Sequence, residues 1–158
     1  MDTGGDLRSL MRRFPAGVAV VTVDVEGERL GLTVGTFVSL SLDPPLVGFA
    51  VSRQAALHEL LRRAGTFGVS LLAAGQEHLA QHFARGVPPI ALWESVRLRP
   101  SSGPPLLEGA LGWLEGRVVA EQAVGTHTFF VGEVDRVEDD PSARALLRVE
   151  QRYRPAGD

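Results

Sequence analysis

Residues 31–45 read GLTVGTFVSLSLDPP. Leu32, Val34, Val38, Leu40 and Leu42 occupy even positions with Thr36 among them, and the odd positions hold Thr33, Gly35, Phe37, Ser39 and Ser41. Side chains of a strand alternate between faces, so this pattern predicts one strand with an apolar core face and a second face of small hydroxyls, a glycine and one aromatic. Asp43-Pro44-Pro45 ends it, because proline cannot donate to a ladder. The second face suits either water or a ligand. Solvated faces usually carry charge, yet no charged residue lies between Arg29 and Asp43. Small uncharged side chains leave the backbone open to close approach by something flat.

Upstream, Gly17–Val25 is apolar and rich in β-branched residues, and Glu26-Gly27 offers the turn of a hairpin with the stretch above. Before it, Asp6 is a candidate cap for a short helix through Arg13. Downstream, Leu46–Ser52 reads as a third strand. From Ala55 the period changes: Leu57, Leu60, Leu61 and Ala64 fall at helical spacing, and Gly65 ends the helix. Thr66–Leu72 is a strand and Gly75–Arg85 a second amphipathic helix, with Gly86 as its stop. Residues 86–105, rich in Pro and Gly, form a long irregular excursion. Leu111–Gln122 and Thr126–Glu138 then read as a pair of long antiparallel strands. The fold class is mainly β, an antiparallel barrel or sandwich with a few short helices.

At 158 residues the chain is expected to be one domain, 1–158, burying roughly 68–70% of its unfolded surface. Cysteine is absent, which excludes disulfides, thiolate metal sites and a cysteine nucleophile. A formal net charge of -3 gives no footprint for nucleic acid. Every basic residue apart from histidine is Arg. No apolar run reaches the ~18–20 residues of a membrane-spanning helix, and MDTGGDLRSLMRR lacks the apolar core of a secretory signal. A cytoplasmic location and no membrane partner are therefore expected.

Neither a GxGxxG nor a GxxxxGK[ST] fingerprint is present, so any nucleotide is held outside those geometries. His78 and His82 stand at i, i+4 without an identifiable third ligand, so an exposed helix face rather than a metal site is expected. His58 falls on the polar side of its helix and is expected in solvent. No Gly-x-Ser-x-Gly elbow supports a hydrolase. Ser52-Arg53-Gln54-Ala55-Ala56 leads into a helix start, where free N–H groups and Arg53 can hold a phosphate or Arg53 can simply serve a loop. His127 opens a strand beside Thr128 and Phe129-Phe130, either as a structural donor or as a ligand contact.

An ordered set of segments resembles the flavin reductase-like family of FMN-binding split barrels. The set comprises Phe14-Pro15-x-Gly17-Val18 with Val20-Val21-Thr22, TVGTFVSLSLDPPLV at 33–47, and Gln76 with Leu79 and Phe83. It continues through Pro105-Leu106-Leu107-x-Gly109-Ala110, Trp113-Leu114-Glu115, Gly125-x-His127-Thr128-x-Phe130-x-Gly132-Glu133-Val134, and Arg152-Tyr153. The resemblance implies an antiparallel six-stranded split β-barrel with Greek-key order, a homodimer, and FMN or FAD as the flavin. It also implies hydride transfer from NAD(P)H, with a monooxygenase component as possible recipient of the reduced flavin. A non-enzymatic FMN-binding flavoprotein is the alternative. The implied flavin contacts are Thr33, Val34, Gly35, Thr36, Ser39, Leu40 and Ser41 along the ring, Ser52, Arg53, Gln54, Ala55 and Leu57 at the phosphate, and Phe83. His127 is implied on the nicotinamide side. Gly35 stands where the family commonly has Asn or Ser, Thr126 where it has Asp, and residues 148–151 lack the usual aromatic and His.

Overall fold

The stretch 31–45 is two strands. The computed structural model describes residues 1–85 and 88–157. In chain order it contains α1 (Thr3–Met11), β1 (Ala16–Gly17), β2 (Ala19–Val25), β3 (Glu28–Val34), β4 (Val38–Leu42), β5 (Pro45–Ser52), α2 (Ala56–Ala64), β6 (Thr66–Leu71) and α3 (Glu77–Ala84). There follow α4 (Pro89–Leu92), β7 (Leu98–Arg99), β8 (Leu106–Leu107), β9 (Gly112–Val124), β10 (His127–Asp139), β11 (Leu146–Val149) and β12 (Arg152–Pro155). The expected stop of α3 at Gly86 lies outside the described residues.

The main sheet is antiparallel, in the order β3-β2-β6-β9-β10-β5-β4. It has seven strands where six were expected, because Gly35–Phe37 leave the ladder and divide the quoted stretch. The sheet's two outer strands, β3 and β4, are neighbours in the chain. Laid flat, they would stand roughly 29 Å apart at about 4.8 Å per strand. The short link reaches at most roughly 14 Å between Val34 and Val38. The sheet therefore rolls up until its edges meet at a seam, which makes it a split barrel. A smaller sheet, β1-β11-β12, lies beside it.

Inside the roll, Phe49 stands edge-on to Phe67 with ring centres 5.3 Å apart, and stacks on Phe130 at 6.0 Å. All three rings are fully buried, as are Val20, Val21 and Leu61. The ring of Phe67 needs Gly132 beneath it: a Cβ there would overlap Phe67 Cζ and Cε1. α2 buries Leu57, Leu60 and Leu61 as its period predicts, and ends at Gly65 in the left-handed conformation with φ 70°. α3 covers β3 with Leu79, Ala80 and Phe83.

Two expectations are corrected here. The first concerns the two faces of residues 31–45. Val34 is buried, but Val38, Leu40 and Leu42 are 42, 47 and 87% exposed, while Phe37 packs towards Phe49. The link out of the ladder and a bulge between Ser39 and Ser41 shift the register, and a slip of one residue exchanges the faces of a strand. The second concerns the first helix, which starts at Thr3 and is capped by Asp2, whose carboxylate accepts from Gly5 N at 3.0 Å. It buries no residue. Among the described residues, no helix is long and apolar enough to cross a membrane.

Replacing Gly132 with Ala should destabilise the protein by about 1–3 kcal/mol through overpacking, lowering Tm by about 2–4 °C per kcal/mol for a chain of this size. Thermal unfolding measures it, and an unchanged Tm would show that the Phe67 ring can move aside.

Candidate functional site at the barrel seam

At the seam, a side chain ties the link between β3 and β4 to β5. Thr36 Oγ1 accepts from Ala50 N at 3.0 Å and donates to Ala50 O at 3.3 Å. A hydroxyl thus completes a rung that the backbone between β3 and β4 cannot make. Thr33, also expected along a ligand, donates instead to Ala80 O on α3 at 2.7 Å. Its hydroxyl is used, and its backbone remains at the surface of the seam. Among the described residues, the hydroxyls of exposed Ser39 and half-buried Ser41 have no protein partner. Gly35 has only Ala16 Cβ within 4 Å of where a Cβ would sit, so its backbone can be approached closely. Leu40 contributes an exposed apolar edge.

From Thr36 the site continues along β5 to Ser52, which pairs with His127 across β10. Arg53 N donates to Thr126 O at 3.2 Å, and its guanidinium donates to His127 O at 2.8 Å and to Gly125 O. Arg53 therefore clamps the turn between β9 and β10, spending there part of the donor capacity expected for a phosphate. The helix end is better placed for an anion. Ala55 at the amino-terminal cap of α2 offers no side-chain acceptor, which leaves the N–H groups of the first turn open to a ligand. Gln54 N is bonded to Ser52 Oγ at 3.2 Å.

Leu57 and Phe83 are corrected as side-chain contacts. Both are 2% exposed: Leu57 can offer only its N–H, and Phe83 lies against Trp93, with ring centres 5.3 Å apart. Helical periodicity marks both as inward-facing, and the core takes them.

His58 is not in solvent. It is 4% exposed, with Nε2 2.7 Å from Thr128 Oγ1, Nδ1 3.1 Å from Glu59 Oε1, and its ring edge-on to Phe130. The His58 hydrogen bond, with Arg62 nearby, holds the Glu59 carboxyl below its usual range. A carboxylate can only accept, so Nδ1 carries the proton and Nε2 accepts from the Thr128 hydroxyl. One buried side chain thus joins the first turn of α2 to the residue after His127. His127 itself is exposed, with Nδ1 2.9 Å from Thr126 Oγ1. His82 bonds Leu92 O at 2.7 Å through Nε2, and no group of three potential metal ligands exists among the described residues.

The sequence reading missed a cavity of about 530 Å³ beside Gly35, walled by α1, by the turn between β11 and β12, and by Thr33 and Val34. Arg8, Arg12, Arg148, Phe14 and Tyr153 line it. The distant segments 8–14 and 148–153 carry no shared pattern that would have paired them. The whole arrangement is an uncharged groove with an open helix end and a basic cavity. An uncapped helix end, unpartnered hydroxyls and a bare glycine backbone fit a flat heteroaromatic ring carrying phosphate.

Known proteins show the same arrangement of chain. The model of the flavin reductase like domain matches residues 11–157. An NADH:FMN oxidoreductase of Rhodococcus erythropolis is 40% identical over 153 residues, covering 94% of this chain and 80% of that one. The reductase component of a 4-hydroxyphenylacetate 3-monooxygenase from Thermus thermophilus is 38% identical over 151 residues, with 93% of both chains covered. The solved NADH:FAD oxidoreductase of Streptomyces globisporus superposes with a TM-score of 0.91 at 38% identity, covering 99% of this chain and 95% of that one. The same protein has been solved with NAD and FAD fragments.

His58→Phe should cost about 1–3 kcal/mol by leaving the Thr128 hydroxyl unpaired in the interior, while His58→Gln, which keeps an acceptor, should recover part of it. Denaturant unfolding reads both. Equal stability of all three proteins would show that ring packing alone holds α2 to β10.

Proposed function

The chain belongs to the family of flavin reductase like domains, and on that premise we propose that it is an NADH-dependent flavin reductase supplying reduced FMN or FAD to a monooxygenase component. The observation that carries this is the seam. It leaves the backbone at Gly35 uncrowded and, among the described residues, the hydroxyls of Ser39 and Ser41 without a protein partner, on the strand that pairs with β5, which leads into the uncapped α2. The names of the relatives support it: an NADH:FMN oxidoreductase, and a monooxygenase reductase component. A cytoplasmic place, where reduced nicotinamide dinucleotides are available, accords with this reading.

Flavin, when bound, supplies the two-electron chemistry. The protein's part is to bind, orient and exclude water. The N–H groups of Ala56 and Leu57 receive the phosphate at the positive end of α2. Ser39, Ser41 and the backbone of residues 33–36 orient the polar edge of the ring, and Gly35 keeps one side clear for it. Hydrogen-bond donors at that edge favour the negative charge that the ring gains on reduction. His127, fixed through Arg53 and the β10 ladder, faces the second nucleotide. Positioning of two flat rings, rather than proton transfer, is the main contribution.

A homodimer completes this reading. Val38, Leu40 and Leu42 on the edge strand β4, with Val119 and Val124 on β9, expose apolar surface. An apolar sheet edge left in water invites association, and a second copy would cover it while enclosing the seam.

Anaerobic mixing of flavin-loaded protein with NADH should bleach the flavin band. Flavin that stays oxidised with both NADH and NADPH would leave a binding protein without turnover. Ser39→Leu should weaken flavin binding by about fivefold to 150-fold, as expected for about 1–3 kcal/mol of steric conflict, measured by fluorescence titration. His127→Ala should slow the bleaching and leave flavin affinity intact.

A further inference from the structure

The helix α1 is unexplained by the core. None of its residues is buried, and Leu7, Leu10 and Met11 are all exposed. It is nevertheless held in place at its carboxyl end, where Glu150 N donates to Arg12 O at 2.6 Å. Glu150 and Gln151 form the two-residue turn between β11 and β12, with φ 52° and 63°. A turn with both central residues left-handed favours Asn-Gly, and longer side chains there carry backbone strain. A coreless helix, a strained turn and the bond between them share one feature. They wall the same cavity, beside Gly35.

That cavity is strongly basic in a chain whose formal net charge is -3. Arg8 on α1 and Arg12, which caps the carboxyl end of that helix, line it together with Arg148 on β11, and no carboxylate among the described lining residues offsets them. Elsewhere Arg62, Arg99, Arg117 and Arg136 each pair with a carboxylate. Among the described residues the guanidinium groups of Arg8 and Arg12 have no such partner. Arg148 donates to Tyr153 OH at 2.6 Å and lies over the tyrosine ring. Phe14 and Tyr153 add flat apolar surface. The volume, about 530 Å³, admits a large part of a nucleotide.

We propose that Arg8, Arg12 and Arg148 bind the pyrophosphate of a dinucleotide in this cavity, and that α1 and its clasp to Glu150 are retained to present the first two of them. Guanidinium groups match phosphate oxygens in pairs, and the aromatic rims accept a base or a ring. The inference rests on the flavin reductase reading, which brings two dinucleotides to the site: the hydride donor NADH and, where it is the acceptor, FAD. Their pyrophosphates are chemically alike. The α2 end of the seam already accounts for the flavin's own phosphate, which favours NADH in the cavity.

FMN separates the two sources because it contains no pyrophosphate. Steady-state kinetics of Arg8→Gln/Arg12→Gln with FMN as acceptor should show KM for NADH raised about tenfold or more, for the loss of charge-assisted bonds, with kcat within about twofold. Arg13→Gln, the same charge change on a residue that does not line the cavity, should leave KM unchanged. If KM for NADH holds but affinity for FAD falls against that for FMN, the pyrophosphate bound is that of FAD. If neither moves, the cavity is not a dinucleotide site and the proposal is overturned. Wild-type protein that oxidises no NADH would instead sink the reductase reading, and the FAD and FMN titrations would then decide the cavity independently.

Discussion

The three-residue link from Val34 to Val38 is the constraint on which the molecule depends. It joins the two outermost strands of a seven-stranded sheet, and a flat sheet of that width cannot be spanned by so short a connection. Closure follows from chain geometry, and the interior is then filled by Phe49, Phe67 and Phe130. Space for those rings comes from missing side chains: Gly132 and Gly116 give up their Cβ atoms so that Phe67 can lie against backbone. The same economy appears at Gly31, where a Cβ would meet Phe83 at 2.9 Å.

A seam closed by a side chain differs from one closed by a ladder. Thr36 provides both bonds to Ala50, and the backbone of Gly35–Phe37 lies outside the ladders. Backbone that is neither paired nor covered by bulky side chains is where a flat ligand can lie. The seam therefore creates the site. His58 then fixes the first turn of α2 against β10, because its Nε2 bonds Thr128 Oγ1. Arg53 adds the turn between β9 and β10 to the same assembly. The residue types that look catalytic in isolation thus act largely as fasteners.

In a chain of the flavin reductase like family the redox chemistry resides in the bound rings. What remains for the protein is discrimination and placement. The uncapped start of α2 and the arginine-lined cavity at α1 are formed by different segments of the chain. Neither contributes much to stability. α1 buries nothing, and α2 forgoes a side-chain cap that commonly contributes ~1 kcal/mol.

Local chemistry was sufficient to read a mainly β antiparallel class, the hairpin of β2 with β3, and the amphipathic α2 with its Gly65 stop. These depend on period, turn residues and caps, which act over a few residues. Alternation failed past Gly35 because a break in the ladder and a bulge at Leu40 change register without leaving a mark on the pattern. His58 was assigned to water because a helical period sees only its own helix, whereas Thr128 and Phe130 reach it from β10. Leu57 and Phe83 were taken for contacts although their spacing already placed them inward. The sequence by itself determined the mainly β class and the places of the long strands and of α2 and α3. Only the tertiary structure decided how the sheet closes, which hydroxyls are spent on the fold, and that Arg8, Arg12 and Arg148 meet. Those outcomes depend on contacts between residues far apart in the chain, which no local pattern encodes.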